Sequence, residues 1–162
     1  MNFSNNLSRI VAKFSFLPPA LRSTVLTGIF GRVVPFVGTS GLRYEELSPE
    51  RVVVSIRNRK PVQNHIKGVH AAAMALLAET ASGFVVGMNL PDDKLLLIRS
   101  LKVEYLKRSE GDMRAVATLS SEQIASIRAA PRGDVAVPVM VTDASGTEPV
   151  RCEMIWAWLP KK

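Results

Sequence analysis

The stretch from Val69 to Val86 constrains the fold more than any other part of the sequence. It is rich in alanine, and Glu79 is the only Asp, Glu, Lys or Arg among its eighteen residues. Alanine favours helix and Gly87 can end one, so the stretch predicts a single long helix. Because its side chains are mostly small, other elements can approach this helix closely.

Segments whose sequence predicts β-strands precede and follow this helix. The predicted strands are Thr39–Leu47 and Arg51–Arg57 before it, and Leu95–Lys107, Met113–Ser120, Val135–Thr142 and Val150–Leu159 after it, the last two as a hairpin. Residues 122–129 predict a short helix. Consecutive strands without long helices between them indicate an antiparallel sheet. We therefore expect an α+β fold in which the sheet wraps around one long central helix. One helix face then stays open, which favours a dimer.

The N-terminal region predicts two further helices, at 7–14 and 20–34. Pro18 and Pro19 separate the two apolar patterns, and Pro35 ends the second. The chain is thereby divided into an N-terminal helical extension, residues 1–38, and a main domain, residues 39–162.

The same region contains no Asp or Glu before Glu45. An acid-poor start of this kind is compatible with a transit peptide or with binding to an anionic membrane surface. The proline pair and the apolar pattern after it favour a third interpretation, helices that pack on the domain.

The formal net charge is +7 and the isoelectric point is about 10.0. This charge favours anionic partners such as nucleic acid, acidic membrane or phosphorylated cofactors like coenzyme A. The sequence contains no zinc-finger spacing, no RNP-type motif and no basic helix, and only 6% of residues are aromatic, which argues against nucleic acid. The single cysteine, Cys152, excludes an intramolecular disulfide and is typical of a cytoplasmic protein. No apolar run predicts a transmembrane helix.

Glu79 is the main candidate for chemistry. A carboxylate on an otherwise uncharged helix is costly to bury, so either a cation from elsewhere meets it or it faces a cleft. The first alternative is a structural ion pair. The second is a general base or nucleophile whose pKa is raised by apolar surroundings.

The start of the same helix is the second candidate. His70 and Ala71 lie at the first turn, where free N–H groups and the positive end of the helix dipole can hold a developing oxyanion. Ala71 and Glu79 are eight residues apart, roughly 12 Å of helix rise. This distance is too long for both residues to touch one carbonyl oxygen. It is compatible with positions on opposite sides of one acyl group, or with sites completed by a second subunit.

These residues resemble the motif region of PaaI-like hotdog thioesterases. That region has Asn or Gln, then His-Gly six and seven residues later, then Asp or Glu on the helix; Asn64, His70-Ala71 and Glu79 have this spacing. Supporting similarity lies in Pro35–Thr39, in Asn64–Gly83, and in Val103–Lys107 with Gly111. The sequence thus resembles an uncharacterised branch of the hotdog superfamily over roughly residues 35–158.

The resemblance implies a hotdog fold with active sites at the interface of a homodimer, and dimers that can pair into tetramers. It implies an acyl-CoA thioesterase that requires no cofactor, with coenzyme A as part of the substrate and acyl carrier protein as the other candidate carrier. Glu79 would activate water or attack the thioester, and the N–H of Ala71 would donate to the thioester oxygen. Asn64 would position water or the carbonyl, and His70 would brace the loop.

One residue departs from the family pattern and leaves alternative functions open. Ala71 stands where the family often has glycine, so the N–H is kept but a methyl group is added where the acyl chain approaches. A dimer that binds acyl-CoA or a fatty-acyl ligand without catalysis is therefore a second hypothesis. Hydration or dehydration of an enoyl-CoA, using His70 and Glu79, is a third, although the spacing is closer to that of thioesterases.

Two cations follow the predicted strand at 95–107, at a place where hotdog enzymes often meet cofactor phosphates. By resemblance, Lys107 and Arg108 would bind the phosphates of coenzyme A; the alternative is a solvated strand end. No metal site is predicted, because His65 and His70 have no Cys or carboxylate ligand near them in sequence.

Overall fold

The structure, a computed structural model, describes residues 3–161. Its α-helices are α1 (Asn6–Lys13), α2 (Pro19–Val33), α3 (Pro35–Ser40), α4 (Ala71–Gly87) and α5 (Ser121–Ala129). Its strands are β1 (Arg43–Leu47), β2 (Arg51–Ile56), β3 (Lys94–Tyr105), β4 (Met113–Thr118), β5 (Gly133–Val137), β6 (Val139–Asp143) and β7 (Val150–Pro160). Within residues 3–161, no helix is long and apolar enough to cross a membrane.

The strands form two antiparallel sheets around the long helix α4. One has the order β1-β2-β4-β6 and the other β3-β7-β5. Strands of both sheets contact α4, and Leu77, Ala78 and Ala81 on the helix are completely buried. The small alanine side chains allow this close approach. The predicted arrangement of a sheet wrapped around one central helix is confirmed.

Strands β2 and β3 both direct alternating apolar residues toward the core side of their sheets. Val52, Val54 and Ile56 of β2 are buried in the core. In β3, Leu101 pairs with Met154 of β7, and Val103 pairs with Cys152. Paired residues share a sheet face, so the alternating apolar residues of β3 face the same side as the buried residues of β7.

The prediction of a strand from Thr39 is wrong, because Pro35–Ser40 forms the short helix α3. Proline at the first position of a helix is well tolerated, since its missing N–H would have no intrahelical partner there. Pro35 therefore starts a new helix after α2. Gly41, with a φ of 68°, ends α3 and the first strand begins only at Arg43.

The predicted C-terminal hairpin is wrong as well. Residues 133–143 form two strands, β5 and β6, on either side of Pro138, and the two strands belong to different sheets. Proline has no N–H for a strand ladder, which separates β5 from β6. The ladder partners of β7 are β3 and β5.

Helix α2 covers the outer edge of β1. The hydroxyl of Ser23 donates to the carbonyl oxygen of Tyr44 at 2.5 Å, and the N–H of Tyr44 donates to Thr27 Oγ1 at 3.0 Å. Two helix hydroxyls thus satisfy backbone groups that a neighbouring strand would otherwise use, which blocks pairing at this edge.

Helix α1 is fastened to the C-terminal end of α4. The buried side chain of Asn5 donates from Nδ2 to the carbonyl oxygens of Gly87 and Leu90, both at 2.7 Å. Arg9 also forms an ion pair with Asp92 at 3.0 Å. An isolated helix of eight residues is marginal in water, so these contacts hold α1 in place.

Candidate active site

Glu79 faces a cavity of about 270 Å³ beside α4. Two of the other lining residues, Gly83 and Gly87, follow Glu79 at four-residue spacing on the helix, so the cavity extends along one helix side. The remaining wall is mostly apolar and consists of Leu7, Val34, Val37, Thr80, Phe84, Leu96 and Trp156. The cavity contains a single ionisable lining residue, Glu79.

No cation neutralises this carboxylate within residues 3–161. None of the ion pairs there includes Glu79, and its one side-chain contact is with the Thr80 hydroxyl at 3.5 Å. Burial raises the pKa of Glu79, and the Thr80 hydroxyl opposes the rise. A partly buried carboxylate of this kind binds a proton more tightly than an exposed one, as a general base working near neutral pH requires.

A second polar group lies close to Glu79. The hydroxyl of Tyr44 is buried and has no hydrogen-bond partner within residues 3–161. Burial raises the pKa of Tyr44, and the negative charge of Glu79 raises it further. The Tyr44 ring lies 4.6 Å from the ring of Phe84, which lines the cavity.

The first turn of α4 offers a free donor. His70 is the N-cap, and its Nδ1 accepts the N–H of Ala72 at 3.1 Å. The N–H of Ala71 has no acceptor within the part of the chain that the structure describes. Tyr105 at the end of β3 donates its hydroxyl to the Ala71 carbonyl oxygen at 2.9 Å, which ties the strand to this turn.

The loop before α4 is organised by Asn64. Its Oδ1 accepts the N–H groups of Ile66 and Gly68, each at 3.1 Å. Lys67 in this loop has a φ of 62°, a left-handed conformation that costs energy for a residue with a β-carbon. The Asn64 bonds close the tight turn that contains it.

Arg108 is joined to the same loop. Its Nη2 donates to the carbonyl oxygen of Ile66 at 3.0 Å, and Lys67 and Arg108 line a shared surface concavity of about 390 Å³. Lys107 is exposed beside it, held through its N–H to the carbonyl oxygen of Pro149. The predicted cations therefore lie near the loop that leads into α4.

Comparison with known proteins identifies the family. Residues 22–159 match DUF4442, a domain of unknown function. The chain belongs to the DUF4442 family. No curated protein matches it.

Solved structures resemble this DUF4442 domain over nearly its whole length. The structural-genomics protein APC5556 is 27% identical with a TM-score of 0.75, covering 97% of this chain and 100% of its own. PA5026 from Pseudomonas aeruginosa, described as a protein of unknown function and "Probable Thioesterase", is 21% identical with a TM-score of 0.75, over 90% of this chain and 97% of its own. The thioesterase HI1161 from Haemophilus influenzae is 10% identical with a TM-score of 0.62, over 98% of this chain and 93% of its own. The DUF4442 domain has the hotdog fold, which it shares with structures named as thioesterases such as HI1161.

The predicted site residues of the DUF4442 domain fall into two groups. Asn64, His70, Ala71 and Arg108 lie at the start of α4 or on the loop beside it. Glu79 lies about two helical turns further on, and none of the other four lines its cavity. Within a single copy of the chain, the structure does not bring the carboxylate and the Ala71 N–H to one point.

Several residues of the cavity could not be identified from the sequence. Leu7 reaches it from the N-terminal helix, and Tyr44 approaches it from β1, both through contacts distant in sequence. Trp156 is buried beside the cavity, and its Nε1 donates to Ser82 Oγ at 2.9 Å. Ser82 is completely buried and is therefore not accessible to a ligand in the cavity.

Proposed function

We propose that this DUF4442 protein hydrolyses acyl-CoA thioesters, with Glu79 as the base or nucleophile. One observation supports the proposal most directly. Glu79 is the single ionisable residue that lines the mostly apolar cavity, and it has no cationic partner within residues 3–161. Solved structures named as thioesterases share the fold, which adds support.

A homodimer would complete the site. Ala75 lies midway between Ala71 and Glu79 on α4. Two antiparallel copies of α4 that cross at Ala75 would bring Ala71 of one chain opposite Glu79 of the other. The small side chain of Ala75 permits this approach, and a twofold axis would create two identical sites.

The edge strand β3 supports such a dimer. It is twelve residues long and lies at the edge of its sheet, whereas α2 covers the edge at β1. Ile98 and Leu101 point toward the α4 side of the sheet but are 40% and 45% exposed. A long apolar edge strand is a ready surface for strand pairing with a second copy.

The reaction then follows from the two groups. The Glu79 carboxylate takes a proton from water as the water oxygen bonds to the thioester carbon, and the Ala71 N–H of the other subunit holds the oxyanion. Collapse of this intermediate breaks the C–S bond, and the proton on Glu79 passes to the leaving sulfur. The products are a carboxylic acid and coenzyme A. In the nucleophilic variant, the Glu79 carboxylate attacks the thioester carbon, the C–S bond breaks, and coenzyme A leaves as a thiolate that takes a proton from water. Water then opens the mixed anhydride, which releases the carboxylic acid and restores the Glu79 carboxylate.

The remaining predicted residues have supporting roles in this proposal. Asn64 fixes the loop before α4, and His70 caps the helix so that the Ala71 N–H stays available. Lys107 and Arg108, together with Lys67, would bind the phosphates of coenzyme A, which enters as part of the substrate. No further cofactor is required.

The test is thiol release from a panel of acyl-CoAs by the wild type and Glu79→Gln. Removal of the general base is expected to lower the rate by roughly 10²- to 10⁴-fold. Glu148→Gln, at an exposed position, is the matched control and should keep the wild-type rate. A Glu79→Gln protein that folds, dimerises and retains the wild-type rate would remove Glu79 from the mechanism.

Binding without catalysis is the second candidate. The observation that favours it is Ala71, whose methyl group occupies a position where related enzymes often have glycine. In that case acyl-CoA would raise the melting temperature of the protein, with no thiol released. The same acyl-CoA panel distinguishes the two functions.

A further inference from the structure

The N-terminal helix α1 lines one end of the cavity at Glu79. The cavity follows α4 from Glu79 to Gly87, and glycines at 83 and 87 leave room along the helix side. At the far end, a β-carbon built on Gly87 would lie 3.2 Å from Leu7 Cδ2. Leu7 of α1 therefore lies against Gly87 and lines the cavity at this end, and we call it the end wall.

The position of Leu7 is fixed by polar contacts on both sides of it. Asn5 caps α1 through the N–H of Ser8 and also bonds the carbonyl oxygens of Gly87 and Leu90. The N–H of Asn6 donates to the Asp92 carboxylate at 2.9 Å. These bonds connect the first turn of α1 to the last turn of α4 and the segment after it. These hydrogen bonds therefore hold Leu7 in place as part of the folded domain.

The volume of the cavity indicates how much of an acyl chain it has room for. A cavity of about 150 Å³ lined by apolar side chains is known to hold benzene, with six carbon atoms. By that comparison, the cavity of about 270 Å³ holds roughly ten carbon atoms. Its apolar wall suits an alkyl chain, and Glu79 at the other end lies where a thioester carbonyl would be attacked.

We infer that α1, through Leu7, sets the length of the acyl chain that the protein accepts, and that the substrates are medium-chain acyl thioesters. The inference rests on the proposed function, because it takes the Glu79 cavity as the acyl site. Leu7 is a specificity-determining residue in this scheme and takes no part in bond breaking.

The experiment measures kcat/KM for thiol release over saturated acyl-CoAs from butanoyl to hexadecanoyl. Leu7→Ala opens the end wall and is expected to raise the dodecanoyl-to-octanoyl ratio of kcat/KM by roughly tenfold. Leu7→Phe extends the wall and is expected to lower that ratio by a similar factor. Ile10→Ala is the matched control, because Ile10 is a partly buried apolar residue of the same helix that does not line the cavity.

A second readout separates this inference from the proposed function. Thermal stabilisation by the same acyl-CoAs is measured in the Glu79→Gln background, where hydrolysis is not needed. One outcome is that the wild type releases no thiol, but that substitution of Leu7 changes which acyl chain length stabilises the protein most. This outcome would support the role of Leu7 and contradict the thioesterase function. If wild type hydrolyses acyl-CoA and neither Leu7 variant differs from Ile10→Ala in either readout, the end wall is wrong and the function stands.

Discussion

The indole ring of Trp156 packs directly against the α-carbon of Gly83. A β-carbon built on Gly83 would lie 2.7 Å from Cζ2 and 2.8 Å from Cη2 of the ring. The ring cannot easily move away, because its Nε1 is bonded to the buried Ser82 hydroxyl. Gly83 therefore fixes both the helix–sheet distance and the width of the cavity beside Glu79.

This contact predicts that Gly83→Ala lowers the free energy of unfolding. Alanine gains about 1 kcal/mol of helix propensity over glycine, but overpacking a core typically costs about 1–3 kcal/mol. With the ring held in place, we expect a net loss of about 1 kcal/mol, measured by urea denaturation. Gly87→Ala is the control: its new methyl group meets only the flexible end of Leu7, so its stability should equal or exceed that of the wild type. Equal gains in both variants would contradict the rigid contact.

The raised pKa of Glu79 predicts that the free energy of unfolding falls as the pH rises. Burial raises its pKa in the folded protein, so the folded state holds the proton more tightly than the unfolded state. Stability is then lost as the pH rises from the ordinary glutamate pKa, about 4.3, through the raised value. Glu79→Gln avoids this loss and should be more stable than wild type at neutral pH, with the difference vanishing at acidic pH.

Denaturant titrations at several pH values test this prediction. Glu148→Gln provides the comparison, because it removes an exposed carboxylate from the surface. A stability difference for Glu79→Gln that stays constant down to low pH would show that folding does not shift the pKa of Glu79. A difference of the opposite sign at neutral pH would show that the fold stabilises the Glu79 anion.

The proposed dimer predicts a specific effect at the edge of β3. Leu101 is 45% exposed on the α4 side of the sheet, and Leu101→Glu would place a charge in the interface. We expect a monomer by analytical ultracentrifugation and a loss of thioesterase activity of about 10²-fold or more, because Ala71 and Glu79 then no longer meet. Met140→Glu on β6, at a position 48% exposed, should leave the assembly intact. A fully active Leu101→Glu monomer would place the whole reaction within one chain.

Much of the fold could be predicted because its signals are local. The alanine-rich stretch with the lone charge of Glu79 predicted α4, and alternating apolar residues predicted the strands β2 and β3. The errors arose at two prolines, because the effect of a proline on helices and strands depends on its position in the fold. Pro35 ends one helix and begins the next, and Pro138 divides a segment whose two halves join different sheets.

The site was predictable only in part for the same reason. Asn64 and Glu79 belong to one loop and the helix that follows it, so their spacing is visible as a sequence pattern. Leu7 meets Gly87 eighty residues away, and the buried Tyr44 hydroxyl approaches Glu79 from a strand. Neither contact leaves a periodic or motif signal, because the first depends on how α1 docks against α4 and the second on how β1 packs against α4.

The cations near the start of α4 predict how coenzyme A is bound. Arg108 donates to the loop at Ile66 and lines the same concavity as Lys67, so its remaining donors are available to a phosphate. Arg108→Ala should raise KM for an acyl-CoA by about two- to fivefold, since exposed charge pairs contribute up to about 1 kcal/mol, and should leave kcat unchanged. The same acyl group on pantetheine, which lacks the phosphates, should give equal KM values for wild type and variant. Added salt should weaken wild-type binding of acyl-CoA more than that of the variant, because the phosphate contact is screened. A matching rise in KM for acyl-pantetheine would instead mean that Arg108 acts by holding the loop before α4.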